Sequence, residues 1–270
     1  MNEFDPQNYW DRRFSSSVSL ETTGFIGMGK AFNRALYRGY ERALRLLLRR
    51  TNLQIGTATT VIDAGAGSGF LEVFCDKQSV RNVTGLDFVQ AAVESLRTRF
   101  PSYTFFQHDL TKPLTQSVSP ADFVFCISVL YHIVSEEGFQ QAIKTLAQLA
   151  RPGGYLVIAD NFLPQPLPHD KRSHQRHWTR AEYESALQKN GYQIVRYQPI
   201  FFLLNAPLRM QFSPLGRGFL RFWLSIQKWI AGNEFRGSLY GFIAYGVDSI
   251  AQLIFPWGPS NHYLLCKKAD

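Results

Sequence analysis

Val61-Ile62-Asp63-Ala64-Gly65-Ala66-Gly67-Ser68-Gly69 is the stretch on which the fold turns. A β-branched run, an acid and three glycines at alternate positions read as a buried strand that breaks sharply into a helix. Glycine belongs there because a residue without Cβ lets the turn close tightly and brings its backbone amides against a ligand. The stretch therefore reads as a nucleotide cradle, and its spacing narrows the ligand. A dinucleotide pyrophosphate is served by Gly-x-Gly-x-x-Gly, whose third glycine would fall at Phe70. Here the pattern is Gly-x-Gly-x-Gly. Asp63, two residues ahead of it, would repel a pyrophosphate and suits a cationic or amine-bearing ligand.

Outward from the cradle, strands and helices alternate. The pattern predicts strands at 59–64, 82–87, 103–107, 121–127 and 154–160, and helices at 68–77, 89–100 and 136–150. Such alternation is that of an α/β chain with a doubly wound parallel sheet. Arg151-Pro152-Gly153-Gly154 should stop the third of those helices. Thr179 and Glu182 form a capping-box pattern opening a helix that ends near Asn190-Gly191, with a sixth strand at about 192–200. Upstream, Ala31 to Arg50 reads as an amphipathic helix whose stripe of Phe32, Leu36, Tyr40, Ala43, Leu44 and Leu47 packs on the sheet. Gly24-Phe25-Ile26-Gly27-Met28-Gly29 precedes a basic helix rather than following a strand, and reads as a lid or turn. Two stretches interrupt the alternation. Asn161 to Trp178, with Pro164, Pro166, Pro168 and then His169, His174 and His177, is long for a connector and reads as a substrate loop. Phe201 to Pro259 carries apolar helices at 218–230 and 238–255 and reads as a cap.

Three further motifs follow the cradle in order: Val83-Thr84-Gly85-Leu86-Asp87-Phe88, Phe105-Phe106-Gln107-His108-Asp109-Leu110, and Ala121 to Ile133 ending in Ile127-Ser128-Val129-Leu130-Tyr131-His132-Ile133. From Thr59 to Asp160 the chain resembles the class I S-adenosylmethionine-dependent methyltransferases. The resemblance implies a Rossmann-like seven-stranded sheet of order 3-2-1-4-5-7-6, with an antiparallel seventh strand at His262 to Lys267. It divides the chain into an N-terminal helical lid segment (1–57), a core (58–200), a helical cap inserted between strands six and seven (201–259) and a closing strand (260–270). It also implies a cofactor site. Asp63, Gly65, Gly67 and Gly69 would hold the methionine and ribose parts, and Asp87, followed by Phe88, would accept from the ribose hydroxyls. His108, Asp109 and Leu110 would wall the adenine, and Ile127 and Ser128 would open onto the pocket. The aromatic N-terminus would fold over that pocket, with Tyr9, Trp10 and Arg13 joining Tyr131 and Asn161 around the acceptor.

Methyl transfer from a sulfonium is an in-line displacement on an activated methyl, so alignment and exclusion of water come first and no metal is required. A hydroxyl acceptor is helped by a base, which makes His132 the first candidate, followed by His177 and His174. Acceptor oxygen is the reading those histidines favour. After strand four stands Ile127-Ser128-Val129-Leu130 rather than Asn/Asp-Pro-Pro-aromatic, and no cysteine has a Pro-Cys setting, so base-methylating chemistry loses support. The aromatic residues of 201–259 suit a pocket for a lipophilic small molecule, or else the cap's own core or a homodimer interface.

A chain of 270 residues with 45% hydrophobic content can bury one sizeable core with an appended cap. Three widely spaced cysteines make no disulfide framework or zinc motif, and the polar N-terminus lacks an apolar leader; both fit a reducing cytoplasm. The net charge of +8 is scattered over 34–50, 171–180 and 217–236, which argues against nucleic acid. Residues 218–228 mix basic and apolar side chains and leave peripheral attachment to a membrane open, whereas Asp248 argues against a span at 238–257. Two other readings stand beside the small-molecule enzyme: an RNA-modifying methyltransferase, and a relative that binds the cofactor without transferring its methyl group.

Overall fold

The computed structural model describes residues 4–15 and 17–270. In chain order the elements are α1 (Pro6–Phe14), α2 (Leu20–Thr23), α3 (Lys30–Arg50), β1 (Thr60–Ala64), α4 (Phe70–Lys77), β2 (Asn82–Asp87), α5 (Gln90–Arg99), β3 (Thr104–Gln107) and β4 (Ala121–Ile127). Then come α6 (Glu136–Leu149), β5 (Ala150–Asp160), α7 (Arg180–Lys189), β6 (Tyr192–Pro199), α8 (Pro214–Ile230), α9 (Glu234–Ile254) and β7 (His262–Lys268). The strands form one sheet of order β3-β2-β1-β4-β5-β7-β6. β7 runs antiparallel to β5 and β6, and the other neighbours are parallel. The expected Rossmann-like architecture is the one observed.

Alternation along the strands divides the core between the two faces of the sheet. On one face Val61, Phe123, Phe125, Val157, Tyr263 and Leu265 meet the α3 stripe and α4. On the other, Ile62, Val124, Cys126, Leu156, Ile158 and Leu264 meet Phe139, Ile143 and Leu146 of α6 and Tyr183 of α7. All three cysteines are buried thiols. Register aligns Asp63 of β1 with Gly85 of β2 and Phe125 of β4, so the cradle lies at the centre of the sheet, at the carboxyl ends of the parallel strands. This is where an open α/β sheet binds its ligand.

Element ends differ from expectation for local reasons. The Arg151-Pro152-Gly153-Gly154 stop ends α6 at Leu149 as read, but the strand resumes at once: Ala150 pairs with Ala121, and an irregularity carries the ladder to Tyr155 opposite Phe123. Proline without an N–H and Gly153 at φ 68° suit the bulge. α8 starts four residues earlier than expected, because Ser213 caps it by accepting from Gly216 N (3.1 Å) with Pro214 at its first turn.

The region 201–259 does not stand apart as a lobe. α9 lies along α3, presenting Gly237, Gly241 and Ala244 to it, and Asp248 reaches back to accept from Leu203 N (2.7 Å) and Leu204 N (3.2 Å). Trp223 Nε1 of α8 and Tyr240 OH of α9 both donate to the Leu203 carbonyl. A Cβ at Gly237 would stand 2.3 Å from the Met28 carbonyl oxygen, a backbone atom that cannot swing away. Gly237→Ala should therefore cost about 1–3 kcal/mol, in the range of core overpacking, read as a lowered melting temperature. An unchanged melt would show that α3 and α9 slide apart freely.

Candidate cofactor and acceptor site

A cavity of about 520 Å³ opens at the carboxyl ends of β1, β2 and β4 and runs under α1, α3 and α8. Its size falls within the range of cofactor and small-molecule sites. The cradle forms its floor. Gly65, Gly67 and Gly69 all take positive φ (96°, 51° and 82°), which L-residues resist. A Cβ on Gly65 would meet Val129 Cγ2 at 2.2 Å, and Gly65 N and Ala66 N both donate to the Leu86 carbonyl, tying the turn to β2. Ser68 is fixed from the helical side, its Oγ 2.8 Å from Thr23 Oγ1, which in turn bonds Tyr37 OH at 2.6 Å. Ser128, at the end of β4, sits at φ 59° with its Oγ 2.7 Å from Tyr40 OH. A strained non-glycine residue held by a hydrogen bond beside a ligand cavity marks a functional wall.

Three carboxyl groups gather under the cradle. Asp87 is buried, accepting from Gly67 N (2.8 Å) and Val89 N (2.9 Å), and burial pushes its carboxyl up to about 6 despite those bonds. Asp63 lines the cavity with no described donor on its carboxyl, and burial, then Glu72 and Asp87, raises it well above the ordinary range. Glu72, behind them, is fully buried with neither oxygen partnered, and burial pushes it up to about 8. Like charges crowded together in a buried setting resist ionisation. A positively charged ligand would relieve them, so its binding and the loss of a proton here are linked. The donor set thus fits a sulfonium with an ammonium group and a ribose, and the glycine turn leaves room for a backbone approach that a side chain would fill.

At the far end the wall changes character. Trp10, Tyr131, His132, Asn161, His174 and His177 converge there, with Phe25 and Trp223 alongside. His132 Nδ1 lies 3.0 Å from the His174 carbonyl, which makes it the protonated nitrogen and leaves Nε2 as an acceptor; Trp10 meets its ring edge-on at 4.8 Å. Burial, ahead of all other causes, pushes His132 down to about 3 and His177 down to about 4, and also lowers His174. Asn161 Nδ2 stands 3.4 Å from His177 Nδ1 and its Oδ1 is buried without a partner. Arg13 donates to the carbonyls of Thr22 and Gly24 and, at 2.7 Å, to Tyr9 OH. Among the described residues no carboxylate pairs with it.

The cavity brings together most of the residues expected at the site and leaves out five. Gly69 packs instead on α5, where a Cβ would meet Leu96 Cδ2 at 2.7 Å; its task is to turn the chain into α4. Tyr9 lies behind the wall, stacked on His174 at 4.7 Å and holding Arg13. His108, Asp109 and Leu110 stand outside the lining. Asp109 Oδ1 is taken by Thr111 N (2.9 Å) and Thr111 Oγ1 (2.7 Å), and Lys112 pairs with Oδ2 at 3.3 Å. His108 and Leu110 are buried beside it, and His108 N donates to the Asp87 carbonyl. The expected aromatic pocket of the cap reduces to Trp223, with Leu224 and Gln227, since Phe222, Trp229, Phe242 and Phe255 point outward. Conversely, Thr23, Tyr37, Tyr40 and the hydrogen-bonded pair Asn205–Asn261 (2.9 Å) line the cavity unforeseen. The polar end of Tyr40 on an otherwise apolar stripe, with Tyr37 three residues before it, was the available signal. Among the described residues no cluster of His, Cys, Asp and Glu has the arrangement of a metal site.

Sheet order, cradle and carboxylates define a methyltransferase of the class that uses S-adenosylmethionine. The chain belongs to a methyltransferase domain family, whose model matches residues 32–197. A trans-aconitate 2-methyltransferase of Paracidovorax citrulli (strain AAC00-1) is 31% identical over 132 residues, 47% of this chain and 49% of that protein, so the chain spans about half the length of the curated relative it matches. Magnesium protoporphyrin IX methyltransferase of Synechocystis PCC 6803, crystallised with S-adenosylmethionine, shares the fold at a TM-score of 0.58 and 16% identity, covering 100% of both chains. The N-methyltransferase NodS of Bradyrhizobium japonicum WM9, crystallised with S-adenosylhomocysteine, does so at 0.58 and 11%, over 98% of this chain and 99% of that one.

Asp87→Asn should weaken S-adenosylmethionine binding more than tenfold in calorimetry, the loss of charged hydrogen bonds worth about 1.5–3 kcal/mol, with the melt little changed. Because Asp87 holds its proton up to about 6, wild-type affinity should also fall as pH drops through that value. Affinity indifferent to both changes would remove Asp87 from the cofactor site.

Proposed function

We propose that this chain transfers the methyl group of S-adenosylmethionine to an oxygen of a small, largely apolar acceptor that presents an anionic or readily ionised group. The observation that carries this reading is the pairing of aromatic walls with a guanidinium, Arg13, that no described carboxylate neutralises. Bound, the cofactor supplies an electrophilic methyl on sulfur. The chain's part is to align the acceptor with it and keep water out. Trp10, Phe25, Tyr131 and Trp223 enclose the acceptor's apolar body. Arg13 attracts the acceptor's negative charge, and Nε2 of His132 and the free Oδ1 of Asn161 accept from its polar hydrogens.

The histidines then orient rather than deprotonate. A ring held down to about 3, as His132 is, or to about 4, as His177 is, takes a proton from a neutral alcohol poorly. An acceptor that arrives as a carboxylate or an acidic hydroxyl needs no base, and the neutral imidazole neither pairs with nor quenches its charge. The likeness to a trans-aconitate 2-methyltransferase supports an acceptor of this kind.

Labelled S-adenosylmethionine offered with a panel of carboxylic acids, phenols, amines and alkanols tests the reading, with labelled esters or aryl ethers expected; label on amines alone would overturn it. At saturating cofactor and with a carboxylic acid acceptor, ionised over the whole range, kcat should stay level from about pH 8 down to about 5.5, because both rings are already neutral. A tenfold fall per unit below about 6.5 would instead assign a histidine of ordinary pKa as the base. Arg13→Gln should raise the acceptor KM about 10–100-fold, as expected for a lost charged contact, while cofactor affinity holds.

A further inference from the structure

α9 is amphipathic the wrong way round. A surface helix ordinarily buries its bulky apolar stripe and shows polar side chains to water. Here the buried positions are Gly237, Gly241, Ala244, Asp248, Ala251 and Gln252, small or polar residues that let α9 lie close on α3. The exposed stripe is Phe235, Leu239, Phe242, Ile250, Leu253 and Ile254, with Phe242 at 78% and Ile250 at 61% exposure. Their spacing keeps them on one side of a 21-residue helix, a strip about 30 Å long. α8 adds Leu215, Phe222 and Trp229, also exposed. An exposed apolar strip of this length marks an interaction site.

Its surroundings say what covers it. Arg38, Arg42, Arg45 and Arg49 of α3 line a shallow groove together with Tyr245 and Leu253 of α9, and Arg42 and Arg50 donate to the carbonyls of Ser249 and Leu253. The one acid in that groove, Glu41, is already paired with Arg45 and Lys77. Arg217, Arg221 and Lys228 stand exposed on α8. An apolar strip bordered by cations matches the surface of an anionic bilayer, apolar side chains among the acyl chains and guanidinium groups at the phosphates. A second copy of the chain would bring the same arginines and no acidic strip to meet them. No helix among the described residues is long and apolar enough to cross a membrane, and Asp248 is turned into the protein, so α9 would lie along the surface.

We propose that α8 and α9 form a docking face that lays this protein on an anionic lipid bilayer. The docking itself needs no turnover and stands or falls apart from the reaction proposed above. The test is cosedimentation of the full chain with phosphatidylglycerol–phosphatidylcholine vesicles and with phosphatidylcholine alone, alongside analytical ultracentrifugation without lipid. Binding to the anionic vesicles, reduced at least tenfold by Phe242→Asp/Ile250→Asp and losing its preference for phosphatidylglycerol in Arg38→Glu/Arg49→Glu, is the result expected. Melting temperature and S-adenosylmethionine affinity serve as the check on folding; if the aspartate pair fails it, the arginine pair carries the test. Failure of the folded wild-type chain to sediment with anionic vesicles overturns the proposal. So does a dimer that Phe242→Asp dissociates in the absence of any vesicle binding, which would make the face a contact between copies.

Discussion

The hydrogen bond from Gly67 N to the Asp87 carboxylate is the constraint on which the rest of the site depends. It joins the turn after β1 to the end of β2 at a position, φ 51°, that glycine adopts without strain and where a Cβ would press on Thr23 Cγ2 at 3.0 Å. Once that bond and the two from Gly65 N and Ala66 N to Leu86 are made, the turn cannot relax, and α4 must leave it in one direction. The same geometry leaves Asp63 facing the cavity unpartnered. Cradle shape and the place of the Asp63 carboxyl in the cavity wall are therefore consequences of one local closure.

Electrostatics then gives the cavity its polarity. At the cradle end, three buried carboxyl groups face one another; at the acceptor end, Arg13 stands with its donors on neutral oxygens. The first end suits a cationic cofactor, and the second is the end at which the proposed acceptor would place its negative charge. Burial keeps the intervening histidines neutral, because a charged imidazole between two aromatic rings would lose its hydration without gaining a carboxylate. The low basicity of His132 thus follows from its tight placement.

What the sequence disclosed and what it hid divide along a physical line. Features set by neighbours in the chain were legible: the glycine turn, the Thr179–Glu182 capping box, the alternation that orders the strands, the stop after α6. Features set by distant packing were not. His108-Asp109-Leu110 is an exception to that division, because its own neighbours Thr111 and Lys112 hold the Asp109 carboxylate while the segment stands outside the cavity lining. Gly69 belongs to the motif but serves α5 rather than the cavity. Tyr40 reads as core because its ring is core, while its hydroxyl reaches Ser128 at the cavity edge, and the hydroxyl of Tyr37, off the α3 stripe, reaches Thr23.

The region 201–259 shows why hydropathy alone misplaces a surface. Its many aromatic residues suggest an enclosed pocket, as bulk and apolarity do in most cores. Burial on α9 is decided instead by closeness of approach: Gly237 and Gly241 permit backbone contact with Met28 and Phe32, and Asp248 and Gln252 satisfy the buried backbone of 200–204. A helix that spends its inner face on small and hydrogen-bonding residues has only its outer face left for bulk. No shift of phase would bury both, since rotating α9 to hide Phe242 and Ile250 would expel the glycines and strip Leu203 and Leu204 of their carboxylate. The apolar strip is therefore fixed in place by the polar one behind it.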